Sequence, residues 1–378
     1  MTTTEQHLVR TVRVIDVPGV DAVVRAAEQT ALAAGHRVVI AVVDASGRLQ
    51  QLRRTEGAQP ASDQVAIDKA RTAAIFVRPS RELEAQVSGG RLGALALHGA
   101  VALTGGIPLV SNSAVVGAIG VSGETPDQDE AIALAGAAAT FSTREVPALT
   151  LDGARRLAES AAAVAYARAV APVIAVVDAG GDLLYLWRPD AAQVASVGVA
   201  TDKARTAALF RRPSKDFEEQ AANGRPSALH LAGAVPLQGG LPVLVGGEVA
   251  GAIGVSGASS ADEDAELAAI GVAALDAEPP AATHVAAEAV AARFASGGLF
   301  VTGDGYAVDA GRRDSPGDVE CHDHVTDVMH VVRGTATVMT GSTAHHLTAG
   351  DVLVVPAGVP HQFTEVSDPF HYLVTKVG

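Results

Sequence analysis

Val39-Ile-Ala-Val-Val-Asp44 returns unchanged as Val173-Ile-Ala-Val-Val-Asp178, a shift of 134 residues. The same shift carries Asp68-Lys-Ala-Arg-Thr-Ala-Ala74 onto Asp202-Lys-Ala-Arg-Thr-Ala-Ala208, and Arg78-Pro-Ser80 onto Arg212-Pro-Ser214. It also superposes Gly105-Gly-Ile-Pro108 on Gly239-Gly-Leu-Pro242 and Gly117-Ala-Ile-Gly-Val-Ser-Gly123 on Gly251-Ala-Ile-Gly-Val-Ser-Gly257. Ungapped matching over such a span means two copies of one fold, so the repeat is read before any single element.

Each copy opens with an Ala-rich amphipathic stretch, roughly 19–34 and 151–168, that reads as a helix. The β-branched run ending in Asp-x-x-Gly, with the short strand after it, reads as a hairpin. A helix follows across Asp-Lys-Ala-Arg-Thr-Ala-Ala and is stopped by Arg-Pro, and a shorter helix begins after Ser80 or Ser214. Two more strands flank Asn112 in the first copy and Gly246-Gly247 in the second, before a last Ala-rich helix. The class is α+β, with an antiparallel sheet and packed helices in each copy.

The second copy ends near Asp276, and Glu278-Pro-Pro280 reads as a linker. Beyond it, short Val- and Thr-rich strands between Gly turns predict a small all-β barrel. The expected domains are therefore residues 1–145, 146–278 and 279–378. A chain of 378 residues is long enough for each to bury its own core.

Composition excludes several functions. The net charge is −14 and the basic residues are scattered without interleaved aromatics, which argues against nucleic acid and acidic membranes as partners. No apolar run is long enough for a membrane span, and the polar stretch Met1 to Arg10 lacks the apolar region of a secretory signal. One cysteine, Cys321, rules out an intrachain disulfide framework and fits a reducing cytoplasm.

Eight of the 12 histidines lie beyond residue 280. In Cys321-His-Asp-His324 two of them sit two apart, and on a strand both would point to one face and converge on one ion. Gly350-Asp-Val-Leu-Val-Val-Pro-Ala-Gly-Val-Pro-His361 supplies a third at the end of a strand. His345, His346 and His371 read as surface or supporting residues, and Met329, Phe363 and Phe370 as core.

This pattern resembles the two cupin motifs over about 80 residues, with Gly317 ahead of His322-x-His324, Gly334 closing the first, and Gly350, Pro356, Gly358 and His361 forming the second. The resemblance implies a double-stranded β-helix and a metal held by His322, His324 and His361. The family's fourth ligand is a Glu seven residues before the closing Gly, and here that position holds Asp327. Only Val325 and Thr326 separate it from His324, fewer than the family commonly has. His330 competes for the role, but it lies three residues on, so one regular strand would send the two side chains to opposite faces. Asp327 is preferred. Imidazole with carboxylate suits Fe, Mn, Ni, Cu or Zn.

The repeats, through Ala-Val-Val-Asp-Ala-x-Gly, the Asp-Lys-Ala-x-Thr-Ala-Ala helix, Gly-Gly-x-Pro and Gly-Ala-Ile-Gly-Val-Ser-Gly, resemble the GlcG/HbpS (DUF336-type) family over nearly the whole of both copies. That resemblance implies a haem or small-ligand pocket and a homo-oligomer. His98 and His230 lie in corresponding regions but are not equivalent, so no shared axial ligand emerges. Lys69 and Lys203 are equivalent. Each reads either as a salt-bridged helix residue or as a cation beside the loop Gly105-Gly106 or Gly239-Gly240, whose amides could accept a carboxylate or propionate. Two functions compete at this point: a cupin metalloenzyme for a small oxygenated molecule, and a haem-binding, haem-degrading or sensing protein in which the cupin regulates or stores metal.

Overall fold

The computed structural model describes residues 8–276, 284–303 and 305–378, and the chain forms two compact units, residues 1–277 and 278–378. The expected linker Glu278-Pro-Pro280 and the first seven residues of the polar N-terminal stretch lie outside the described residues. Among those described, no helix is long and apolar enough to cross a membrane.

In the first unit, copy one runs β1 (Val9–Ile15), α1 (Val17–Ala33), β2 (Val39–Asp44), β3 (Leu49–Arg54), α2 (Ser62–Phe76), α3 (Arg81–Ser88), β4 (Gly106–Ser111), β5 (Ala114–Ser122) and α4 (Pro126–Ala137). Copy two repeats the order as β6 (Thr143–Leu149), α5 (Leu151–Ala167), β7 (Val173–Asp178), β8 (Leu183–Trp187), α6 (Ser196–Phe210), α7 (Lys215–Ala222), β9 (Gly240–Val245), β10 (Glu248–Ser256) and α8 (Ala261–Ala273). Each builds a four-stranded antiparallel sheet, ordered β3-β2-β5-β4 and β8-β7-β10-β9. The turns joining β4 to β5 and β9 to β10 place two successive residues at positive φ, Asn112-Ser113 and Gly246-Gly247, as a tight two-residue hairpin requires.

Helices cover both faces of each sheet, which is why β2 and β7 are apolar at consecutive positions and not at alternate ones. Ile40 and Val42 face Val23 and Ala27 of α1 and Ile132 of α4. Val39, Ala41 and Val43 face the alanines of α2. That second contact is very close. A Cβ on Gly120 would lie 2.1 Å from the Ala66 carbonyl oxygen, and one on Gly106 2.1 Å from that of Lys69. Only glycine lets the helix backbone approach the strands so nearly.

Lys69 emerges from α2 into this contact, 4% exposed, and its ammonium donates to Asp129 Oδ2 at 2.8 Å and to the Val121 carbonyl at 2.9 Å. Lys203 does the same in copy two, with Asp264 at 2.8 Å and Val255 at 2.9 Å. Asp264 lies one residue beyond the position that the 134-residue shift predicts from Asp129, so the pair survives a one-residue insertion. Ser80 and Ser214 finish the arrangement, each Oγ accepting from the Gly106 or Gly240 amide and donating to the carbonyl of Leu103 or Leu237.

The sequence reading missed β1 and β6. They pair with each other, antiparallel from Val9 opposite Leu149 to Ile15 opposite Thr143, and so tie the two copies together. The copies also meet at their Asp-x-x-Gly turns. A Cβ on Gly180 would fall 2.3 Å from Ser46 Oγ and 3.0 Å from Arg48 Nη1. Position 48 corresponds to 182, and the two copies differ there, Arg against Asp. Burial pushes the Asp44 and Asp178 carboxyls up; Asp182 pushes both further, while Arg48 pulls both back.

The second unit runs α9 (Ala287–Ser296), β11 (Gly298–Gly303), β12 (Tyr306–Arg313), β13 (Thr326–Arg333), β14 (Thr335–Thr340), β15 (Thr343–Thr348), β16 (Val352–Val355), β17 (His361–Val366) and β18 (Phe370–Val377). The expected closed barrel is, among the described residues, two separate ladders: β11-β12-β18-β13-β16 and β15-β14-β17. From β13 onward the chain passes back and forth between them. Register breaks at Val331/Arg333 and Thr337/Val338, with Gly334 at φ 88° between β13 and β14, interrupt the pairing and carry the chain across. Met329, Phe363 and Phe370 lie in the core between the sheets.

Two outcomes follow for the first unit. Lys69→Met strands a buried carboxylate and lowers unfolding stability by about 3–5 kcal/mol in urea titration, whereas Lys69→Met with Asp129→Leu recovers most of the loss. Arg48→Asp adds a fourth carboxylate to the turn junction and costs about 2 kcal/mol at pH 7. Because the folded-state values of Asp44 and Asp178 are raised, their protonated forms favour folding below the unfolded value, and this stability disappears as pH rises through the folded value. The Arg48→Asp deficit in Tm is therefore smaller at pH 4 than at pH 7.

Candidate metal centre

Three segments of the second unit converge. Asp327 is the second residue of β13, His361 is the first of β17, and Glu320 to His322 form a loop before β13. The loop is held by backbone pairing: Glu320 N donates to the His361 carbonyl at 2.8 Å, His361 N to the Glu320 carbonyl at 2.9 Å, and Gly358 N to the His322 carbonyl at 2.9 Å. Asp327 and His361 are each 2% exposed.

His322 Nε2 lies 3.4 Å and His361 Nε2 3.6 Å from Asp327 Oδ2. Glu320 Oε2 lies 3.9 Å from His322 Nε2, and Glu320, His322 and His361 each present a ligand atom within 4.8 Å of the others. Among the described residues His322 Nε2, His361 Nε2 and Asp327 Oδ1 are buried with no hydrogen-bond partner. Buried polar atoms are ordinarily satisfied, so two unpartnered imidazole nitrogens on either side of a buried carboxylate mark a place suited to something that bonds to them together. The donor set fits a divalent transition ion, since a neutral imidazole nitrogen and a carboxylate oxygen are both ligands. His361 Nδ1 lies 3.4 Å from the Val359 carbonyl, a contact that favours the proton on Nδ1 and leaves the Nε2 lone pair facing Asp327.

Glu320 was missed in the sequence. Arg313 holds its other oxygen in an ion pair and stacks over Phe363 at 4.5 Å. Burial pushes the Tyr372 phenol up, against the pull of Arg313, so it stays protonated. The signal for Glu320 was spacing. Reading Glu320-x-His322 as the paired ligands puts four residues before Asp327 where His322-x-His324 leaves two, and Asp327 remains seven residues before Gly334.

His324 lies outside the converging group. Residues 321–325 are a turn and not a strand, so alternation does not place His322 and His324 on one face, and His324 is exposed. His330 is exposed on β13, on the face opposite Asp327. His345 and His346 bond Thr340 and Thr337, and His371 stacks on Phe294 with centroids 4.7 Å apart. In the first unit, Lys69 and Lys203 adopt the salt-bridged arrangement and not the anion-binding one. Buried beside Gly105-Gly106 and Gly239-Gly240, each spends its charge on an internal carboxylate, while the Gly106 and Gly240 amides are taken by serine hydroxyls. His98 and His230 are exposed.

Beside the converging group lies a cavity of about 160 Å³, lined by Glu320 and Asp327 together with Asp309, Tyr372 and Lys376 and by apolar Met329, Phe363 and Val374.

Comparison with known proteins agrees with this division. A family model described as haem degrading protein HbpS-like matches residues 15–138 and again 149–273, and a cupin domain model matches 306–376. Protein GlcG of Escherichia coli strain K12 is 46% identical over 83 residues, 22% of this chain; the match spans only 62% of GlcG. An uncharacterised 15.0 kDa protein of Citrobacter freundii is 34% identical over 130 residues, 33% of this chain and 91% of that protein. The crystal structure of a Streptomyces reticuli HbpS double mutant shares 34% identity, covering 36% of this chain and 90% of that one, with a TM-score of 0.33. By the family model over both copies and the Citrobacter relative, the chain belongs to the HbpS-like family, as two such domains in tandem followed by a cupin domain.

Proposed function

We propose that the protein is a metal-dependent cupin enzyme acting on a small oxygenated organic molecule, with the ion held by His322, Asp327, His361 and Glu320. The observation that carries this reading is the pair of buried, unpartnered imidazole nitrogens of His322 and His361, both within 3.6 Å of Asp327 Oδ2 and grouped with a Glu320 oxygen. Each such nitrogen left bare costs about 1–3 kcal/mol, and a single cation offsets both. Two imidazoles and two carboxylates suit Fe, Mn, Ni, Cu or Zn. A bound divalent ion supplies Lewis acidity toward a carbonyl, carboxylate or enolate oxygen, the chemistry of oxidation, isomerisation or elimination. Around it Arg313 fixes Glu320, and the protonated Tyr372 can donate to a substrate oxygen in the cavity. Met329, Phe363 and Val374 give the cavity an apolar side.

Metal analysis tests the reading. Purified, reconstituted protein is expected to hold one equivalent of a divalent transition ion. His361→Ala and Asp327→Ala lose it, Glu320→Gln binds more weakly, and His324→Ala and His330→Ala keep it. At 100 times Kd the ion adds about 2.7 kcal/mol to the stability of the cupin unit, reversed by chelation. Wild-type protein that takes up no ion overturns the proposal.

A second reading, haem binding by the tandem copies, is supported by the haem-degrading description of the matching family and by the setting of His98 and His230. Both are exposed, His98 near exposed Leu95 and Leu97, and His230 between exposed Leu229 and Leu231. Haem titration is then expected to give a saturable Soret shift that His98→Ala with His230→Ala reduces. A titration without saturation removes this reading and leaves the metal centre untouched.

A further inference from the structure

Lys376 is the one lysine of the cupin cavity among the described residues, and strand register fixes where it points. On β18, Tyr372, Val374 and Lys376 are two apart and share a face, and the first two are buried in the core between the sheets. Lys376 stands directly opposite Asp327 on β13, and directly opposed residues of an antiparallel pair share a face. Its side chain therefore runs toward the wall from which Asp327 reaches the converging histidines. Unlike Lys69 and Lys203, it has no carboxylate within 4.0 Å among the described residues. The hydroxyl end of the wall is also set. A Cβ on Gly311, opposite Tyr372, would fall 2.3 Å from the ring, so glycine there is what lets the ring lie against β12.

Charge decides what can share this space. Asp309, Glu320 and Asp327 are offset by Lys376, Arg313 and a divalent ion, leaving one positive charge with the histidines neutral. A volume of about 160 Å³ is below the roughly 300–1,000 Å³ of drug-sized pockets. We propose, on the reading that the centre binds a divalent ion, that the cavity takes a small monocarboxylate bearing a second oxygen function. Its carboxylate lies against the Lys376 ammonium, its other oxygen faces the ion, and the Tyr372 hydroxyl lies between. A neutral sugar leaves the Lys376 charge uncompensated, and a dicarboxylate brings one negative charge too many.

The test is calorimetric titration of the full chain, reconstituted with the ion found at one equivalent, using pyruvate as probe and pyruvamide as its neutral counterpart. Wild type is expected to bind pyruvate saturably and pyruvamide about tenfold or more weakly. Lys376→Met weakens pyruvate at least tenfold with metal content unchanged and pyruvamide unaffected; Lys376→Arg restores much of the loss, and surface Lys215→Met changes nothing. Equal pyruvate affinity in wild type and Lys376→Met, or no pyruvate binding by metal-loaded wild type, overturns this inference while the metal centre stands. Absence of metal from wild type overturns both.

Discussion

The buried ion pair between helix α2 and the start of helix α4, Lys69 with Asp129, governs the architecture of the repeated unit. An ammonium in a nearly water-free contact is tolerable only when a carboxylate and a carbonyl reach it together. That requirement fixes the depth of α2 on the sheet, and the depth in turn requires Gly106 and Gly120, which have no side chain to hold the helix away. The second copy repeats the solution with Lys203, Asp264, Gly240 and Gly254, and absorbs an inserted residue without losing it. Interactions that persist through an insertion carry more weight than those that only share a register.

The duplicated unit and the cupin unit place their buried charges to opposite ends. In the first, each buried ammonium is closed off by an internal partner. In the second, His322 Nε2 and His361 Nε2 are buried without a hydrogen-bond partner on either side of Asp327 Oδ2. Closed pairs hold a scaffold in place. Open ones are worth their desolvation only if something else completes them. The duplication has also diverged where its copies meet, with Arg48 in one and Asp182 in the other, so the two halves of that junction are no longer interchangeable.

Much of the fold was legible in the letters. The repeat, the α1 and α5 helices, the hairpins around Asn112 and Gly246-Gly247, and the stop of α2 before Arg78-Pro79 all follow from local rules of periodicity and turn chemistry. The strands β1 and β6 were not, because each pairs with a segment 128 to 140 residues away and, among the described residues, with no strand of its own copy. The candidate site divides the same way. His361 and Asp327 sit at strand positions where alternation applies, and their direction could be foreseen. Glu320 lies with His322 and His361 while His324 is exposed, because residues 321–325 form no strand and alternation does not hold there.

By itself the sequence determined that there are two copies of one α+β unit and a β-rich end that gathers the histidines. It did so because repetition, helix period and turn residues are local properties of the chain. Only the tertiary structure decided that Lys69 and Lys203 are spent on internal carboxylates, that Glu320 and not His324 joins His322 and His361, and that Lys376 shares a cavity wall with Asp327. Those outcomes depend on which strands from distant parts of the chain lie side by side, and spacing along one segment does not encode them.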